Sequence, residues 1–213
     1  MRILDLSHPL EQGMPCYPGT PEARFQPISS IAHDGFAEQM LTISSHTGTH
    51  VDLPSHILEN APSLDAFDLS RFAGKGAVLD VRGAVGGVIT IELLQLSRSI
   101  IEDCEFLLLF SDWSKYWGTP PYFERYPVLS ADAAEWLAGF KLKGVGVDMV
   151  SVDAADSTDF PVHKILLRQD ILILENLAGL QSLLSSPFTL CAFPLKLAKG
   201  EASPVRAVAV LEW

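Results

Sequence analysis

The sequence predicts an α/β fold in which short strands and helices alternate around a mixed sheet. Short apolar runs of strand length recur along the chain, and apolar residues at helical spacing occur between several of them. A length of 213 residues suits one domain with a sizeable core, and no repeat or linker divides the chain. We therefore expect a single domain over residues 1–213.

The N-terminal third is rich in proline and glycine. Pro15, Pro18 and Pro21 each fix their own φ angle and restrict the residue before them. This composition predicts an extended arm over residues 1–30, which would form a substrate rim or a subunit contact within the same domain.

The remaining elements follow from periodicity and capping signals. The apolar runs predicted to be strands are 38–44, 76–81, 106–110, 144–151, 171–174 and 205–211. A helix is predicted over 130–140, where Ser130 suits an N-cap. A second, short helix is predicted over 161–167, with Pro161 in its first turn.

The overall composition excludes several classes of protein. With 48% hydrophobic and 19% charged residues, the chain is unlike a disordered segment. Fifteen basic and 26 acidic residues give a net charge of −11, which argues against nucleic acid and an anionic membrane surface as partners. No apolar stretch approaches the ~18–20 residues that span a bilayer. Cys16, Cys104 and Cys191 form no C-x-x-C pair, which is typical of free thiols in a reducing cytoplasm.

The densest chemical signal is a histidine cluster between His46 and His56. His46 and His50 have the spacing of a helical zinc site, but Gly48 and the following proline oppose a helix. We expect a turn leading into a short strand, on which His50 and Asp52 point to the same side. Two imidazoles and a carboxylate suit a divalent metal with an open position for water. The alternative is that these are turn and surface residues.

A second group of polar residues lies far along the chain. Glu175 ends an apolar strand, where a carboxylate is costly to bury without a partner, and Asp148 lies within another strand. Taken alone, His163 fits a partly exposed helix residue, Glu175 a charge at a helix start, and Asp148 a hydrogen-bonded structural aspartate.

The histidine cluster resembles a family motif. His46-Thr-Gly-Thr-His50-Val-Asp52-Leu-Pro-Ser-His56 is similar to the H-x-G-T-H-x-D-x-P-x-H motif of the cyclase family of metal-dependent hydrolases, which includes bacterial kynurenine formamidases and isatin hydrolases. The resemblance extends over nearly the whole chain. It includes the segments 5–10, 146–148, 161–167, 175–177 and 203–206.

This resemblance implies roles for individual residues. His46, His50 and Asp52 would bind a metal, while His163 and Glu175 would complete a second site bridged by Asp52. His56 would act as catalytic acid or base. The family implies one or two divalent ions per subunit, zinc or manganese, and a swivelling β/β/α domain assembled as a homodimer or homotetramer.

The resemblance also implies an activity. An arylformamidase would hydrolyse N-formyl-L-kynurenine to L-kynurenine and formate with water activated by the metal. Alternatives are an isatin hydrolase or another small-amide hydrolase, and a non-enzymatic metal-binding structural protein. The chain departs from kynurenine formamidases at Tyr17, where those enzymes tend to carry tryptophan. Tyr17, Phe25 and Trp113 are candidate walls for an aromatic substrate, with plain packing as the alternative.

Overall fold

The computed structural model describes residues 1–84 and 87–211, which form thirteen strands and five α-helices. The strands are β1 (Arg2–Asp5), β2 (Arg24–Ser29), β3 (Glu38–Thr42), β4 (His50–Asp52), β5 (Ala73–Asp80), β6 (Val88–Ile89), β7 (Phe106–Phe110), β8 (Val128–Leu129), β9 (Gly144–Val147), β10 (Leu172–Glu175), β11 (Phe188–Cys191), β12 (Ala202–Pro204) and β13 (Val208–Leu211). The α-helices are α1 (Ile31–Asp34), α2 (Ile91–Gln95), α3 (Arg98–Glu102), α4 (Ala131–Leu137) and α5 (Pro161–Arg168).

Nine of the strands form one mixed sheet, in the order β1-β13-β11-β5-β7-β9-β10-β4-β12. The central strands β5, β7, β9 and β10 are parallel, and the strands on both flanks are antiparallel to their neighbours. Strands β2 and β3 form a separate hairpin, and β6 pairs with β8. The predicted α/β class with a mixed sheet is therefore confirmed.

The centre of the sheet is buried on both faces. Along β7, Leu107 and Leu109 pack into the core that includes α4 and α5, whereas Phe106, Leu108 and Phe110 pack into the core on the opposite face. A strand covered on both sides carries apolar residues at every position, since successive side chains point in opposite directions. This burial explains the uninterrupted apolar run in the sequence.

Both predicted helices form, with the expected starts. The Ser130 hydroxyl accepts the backbone N–H of Ala133 at 3.1 Å and caps α4, while α5 begins at Pro161. The limits of several predicted strands were wrong: the strand predicted over 38–44 ends at Thr42, and the one predicted over 76–81 spans Ala73–Asp80. The strand predicted over 144–151 ends at Val147, and the one predicted over 205–211 begins only at Val208.

Asp148 explains the early end of β9. Its carboxylate accepts hydrogen bonds from the backbone N–H of Ser111 at 3.0 Å, the Ser111 hydroxyl at 2.5 Å and the Trp113 N–H at 3.2 Å. These bonds tie the chain after β9 to the chain after β7, so Asp148 has the structural role favoured from the sequence. Burial raises its pKa, and the hydrogen bonds oppose that effect.

The N-terminal region is only partly an arm. Residues 2–5 form an edge strand of the main sheet, paired antiparallel with β13, and the next residue, Leu6, is fully buried. The β2–β3 hairpin instead forms a separate two-stranded sheet whose side chains are mostly exposed. No helix in the described ranges combines the length and the apolar character that crossing a bilayer requires.

Candidate metal centre

The histidine cluster is centred on β4, which lies between β10 and β12 and carries His50 and Asp52, while His46 precedes the strand and His56 follows it. The antiparallel register places His50 opposite Glu175 and Asp52 opposite Ile173. Because side chains alternate along a strand, His50, Asp52 and Glu175 project to the same face of the sheet, while Val51 enters the core on the other face. The predicted turn and short strand are present, and β4 is buried at all three positions.

Helix α5 brings His163 onto this group. Its Nε2 lies 3.6 Å from Oδ2 of Asp52 and 3.5 Å from Oε1 of Glu175, and Oε2 of Glu175 lies 3.5 Å from Nε2 of His50. The two carboxylates therefore lie between two imidazoles. Since His163 and Glu175 are both buried, the interpretation of them as a partly exposed helix residue and a helix-start charge is excluded.

His46 and His56 lie beside this group. Nδ1 of His46 is 2.9 Å from Oδ1 of Asp52, and the ring centroids of His46 and His56 are 4.2 Å apart. Two sets of side chains each bring one ligand atom per residue within 4.8 Å of one another. One set is His46, Asp52 and His56. The other is His50, Asp52 and Glu175. Asp52 belongs to both, so it is the residue at which two metal positions would meet.

The buried ligand atoms of the cluster fit a divalent cation. Both carboxylate oxygens of Asp52 and Nε2 of His50 are buried, and none of them makes a hydrogen bond of regular geometry within the described chain. The nitrogens near the Asp52 oxygens are Nδ1 of His46 at 2.9 Å, Nε2 of His50 at 3.4 Å and Nε2 of His163 at 3.6 Å. A buried carboxylate is costly unless its charge is compensated, here by protons on these imidazoles or by a cation. Imidazole nitrogen and carboxylate oxygen are ligands that zinc and related divalent ions accept, so these residues suit such an ion.

The close approach of these imidazoles and carboxylates shifts their pKa values. Burial alone lowers the pKa of His50, but the Asp52 and Glu175 carboxylates outweigh it and raise the pKa to about 9. The pKa of His163 is also raised, since its carboxylate neighbours overcome desolvation. Burial raises the pKa of Asp52, but His50 and the other histidines bring it well below its ordinary value. Without a cation, protons on the imidazoles compensate the carboxylates.

A hydrogen-bond network fixes the ring of His50. Its Nδ1 lies 2.8 Å from the carbonyl oxygen of Gly48, which also accepts a hydrogen bond from Nδ2 of Asn176 at 2.9 Å. The Tyr122 hydroxyl donates to Oδ1 of Asn176 at 2.7 Å. With Nδ1 donating to a carbonyl, Nε2 is left free to face the carboxylates.

A cavity of about 280 Å³ opens onto the cluster. His46, His50, His56, His163 and Glu175 all line it. Its aromatic walls are Tyr17, Trp117, Tyr122, Phe123 and Phe160.

Of the three aromatic residues selected from the sequence, only Tyr17 lines this cavity. Phe25 lies in the β2–β3 hairpin, and Trp113 packs against the core on the helix side, where its indole N–H donates to the carbonyl oxygen of Tyr122 at 2.9 Å. The other four aromatic residues of the wall were missed because no motif or spacing relates them to the histidine cluster: Trp117, Tyr122, Phe123 and Phe160.

Comparisons of sequence and of structure with known proteins agree with one another. Residues 4–154 match the Cyclase family. The kynurenine formamidase of Erythrobacter litoralis is 32% identical over 97% of this chain and 93% of its own length. The structure is similar to an isatin hydrolase bound to the product analogue thioisatinate, with a TM-score of 0.89 and 26% identity over 99% of this chain and 92% of that one. It is also similar to a potential metal-dependent hydrolase with cyclase activity, with a TM-score of 0.80 and 25% identity over 98% of this chain and 96% of that one.

Proposed function

The chain belongs to the cyclase family of metal-dependent amide hydrolases, and from this premise we propose that it is an arylformamidase that converts N-formyl-L-kynurenine and water to L-kynurenine and formate. The observation that carries the proposal is the fully buried Asp52, whose oxygens lie within 3.6 Å of nitrogens of His46, His50 and His163, three residues that line an aromatic-walled cavity. A closed structural site would leave no room for a substrate there.

The ligand roles that we propose are those that the family resemblance implies, and they divide the clustered residues differently from the two sets defined by distance alone. His46, His50 and Asp52 would hold one divalent ion, and His163 and Glu175, with Asp52, would hold a second. Zinc is the ion that we favour, and manganese the alternative. When bound, such an ion polarises a carbonyl oxygen and lowers the pKa of water.

His56 is the residue that we propose as general acid and base. It lines the cavity beside His46 with an exposed side chain, and partial desolvation lowers its pKa while Asp52 opposes that effect, so its neutral form is favoured. A neutral imidazole can accept a proton from water at one nitrogen and later protonate the departing amine. The aromatic walls would hold the arene of the substrate and exclude water from the leaving group.

A specific observation favours a second candidate substrate, a neutral cyclic amide such as isatin. N-formyl-L-kynurenine carries a carboxylate and an ammonium group, but no lysine or arginine of the described chain lines the cavity. A small uncharged lactam needs no such partner and suits an apolar cavity with few polar groups.

Hydrolysis assays on protein of measured metal content test these proposals. N-formyl-L-kynurenine and isatin are each incubated with metal-loaded and metal-stripped protein. We expect turnover of at least one substrate that depends on the metal. Turnover of isatin alone would replace the arylformamidase activity by the second candidate. Activity on neither substrate would remove both, and the non-enzymatic metal-binding protein would then gain support.

We propose that the protein self-associates as a homodimer or homotetramer. The β2–β3 hairpin and the turn between its strands expose Ile28, Ile31, Phe36, Met40 and Leu41. A two-stranded hairpin is only marginally stable alone, and exposed apolar side chains in this number suit an interaction surface. Three free cysteines support the reducing cytoplasm as its compartment.

A further inference from the structure

Asp153 makes an unusual set of contacts with His163. It lies in the loop between β9 and α5, is 4% exposed, and precedes His163 by ten residues. Its Oδ1 accepts the backbone N–H of Val162 at 3.0 Å, and its Oδ2 accepts the backbone N–H of His163 at 3.0 Å. The same Oδ2 lies 2.7 Å from Nδ1 of the His163 ring. One carboxylate therefore binds both the main chain and the side chain of His163.

These contacts determine which ring nitrogen carries a proton. A carboxylate that already accepts two N–H groups is an acceptor, so the nitrogen facing it at 2.7 Å is the protonated one. Nδ1 of His163 is then the donor, and Nε2 is the atom that faces Asp52 and Glu175 at 3.6 and 3.5 Å.

Asp153 is itself held in place. Its carbonyl oxygen accepts the hydroxyl of Tyr126 at 2.9 Å, and its N–H donates to the hydroxyl of Ser151 at 3.3 Å. The two N–H groups that it accepts belong to the first turn of α5, where helical N–H groups have no partner within the helix. The loop, the helix start and the imidazole are thus fixed by one buried side chain.

We propose that Asp153 is a positioning residue that orients His163 so that Nε2 serves as the metal ligand. The proposal rests on the proposed function in so far as the cluster binds a cation. His50 is held differently, by the uncharged carbonyl group of Gly48. Substitution of Asp153 is therefore expected to weaken metal binding only at the position that His163 would ligate.

Zinc titration of the metal-stripped protein tests this role. Asp153→Asn is compared with wild type, and His163→Ala identifies the binding step that depends on His163. We expect Asp153→Asn to lower the zinc affinity of that binding step by about 10- to 100-fold and to leave the affinity of any other step unchanged. Ser130→Ala is the matched control, because it removes the equivalent hydrogen bond at the start of α4 without touching the cluster. It should lower the Tm and leave zinc affinity unchanged.

A second measurement needs neither metal nor substrate. In protein labelled with ¹⁵N-histidine, the Nδ1 proton of His163 should give a low-field, slowly exchanging NMR signal that Asp153→Asn abolishes. Its absence in wild type would overturn the proposal, as would wild-type zinc affinity in Asp153→Asn with a Tm loss like that of Ser130→Ala. Failure of the wild-type enzyme to hydrolyse any amide would instead contradict the proposed function.

Discussion

His8 stacks on Trp117, with ring centroids 3.9 Å apart and ring planes inclined by 8°. Trp117 lines the cavity, and the backbone N–H of His8 donates to the hydroxyl of Thr49 at 3.0 Å, next to His50. His8, which follows β1, therefore packs against one wall of the candidate active site. Burial lowers the pKa of His8 to about 4, and its Nε2 makes no hydrogen bond within the described chain.

This contact predicts a dependence of stability on pH. The folded state keeps His8 neutral, whereas the unfolded chain binds a proton as pH falls below about 6.5. The contribution of His8 to the free energy of unfolding is therefore fully present above pH 6.5 and is lost as pH falls towards 4. Between pH 7 and pH 5 the free energy of unfolding, measured by urea denaturation, should decrease by about 2 kcal/mol less in His8→Phe than in wild type. An equal decrease in both proteins would contradict the prediction.

Removal of the metal should destabilise the protein. The charge of the buried Asp52 carboxylate is compensated either by protons on the neighbouring imidazoles or by a cation, so an ion that binds the folded state alone raises stability. At a zinc concentration 100 times the Kd, the gain is about 2.7 kcal/mol. Thermal unfolding with EDTA and then with excess zinc measures it. Asp52→Asn should abolish most of the zinc-dependent rise in Tm, whereas Glu59→Gln, at an exposed carboxylate nearby, should retain it.

The roles of His50 and His56 should separate in a paired experiment. His56→Ala is expected to retain metal and lose turnover by a factor on the order of 10²–10⁴, because it removes only proton transfer. His50→Ala is expected to lose metal as well. The metal content of each variant, measured by elemental analysis, and its turnover, measured by kinetics, distinguish the two roles. Metal-free His56→Ala together with fully loaded His50→Ala would reverse the two assignments.

Gly146 should tolerate no side chain. A Cβ atom at this position would lie 2.6 Å from Cδ2 of Leu108 and 2.6 Å from Cδ1 of Leu177, both of them buried. Gly146→Ala is therefore expected to destabilise the fold by about 1–3 kcal/mol through overpacking. Gly83→Ala provides the control, since a Cβ there meets no atom of the described residues within 4 Å and Gly83 is exposed. Urea denaturation that gave equal stability losses for both variants would argue against close packing at β9.

Much of the local structure could be predicted because its causes lie close together in the sequence. Ser130 and Pro161 mark helix starts by their own chemistry, and the run 106–110 is apolar at every position. Strand limits were less predictable. Asp148 ends β9 by accepting hydrogen bonds from Ser111, thirty-seven residues earlier in the chain, and no local pattern records such a contact.

The same difference between local and distant causes applies to the candidate metal centre. The sequence by itself determined that His50 and Asp52 share a face, since residues two apart on a strand must do so, and the motif from His46 to His56 identified the family. Only the tertiary structure decided which distant residues complete the group. The pairing of β10 with β4 brings in Glu175, α5 brings in His163, and Asp153 orients that imidazole. The physical reason is that sheet register and helix packing depend on burial over the whole chain, whereas strand alternation and capping depend on neighbours in sequence.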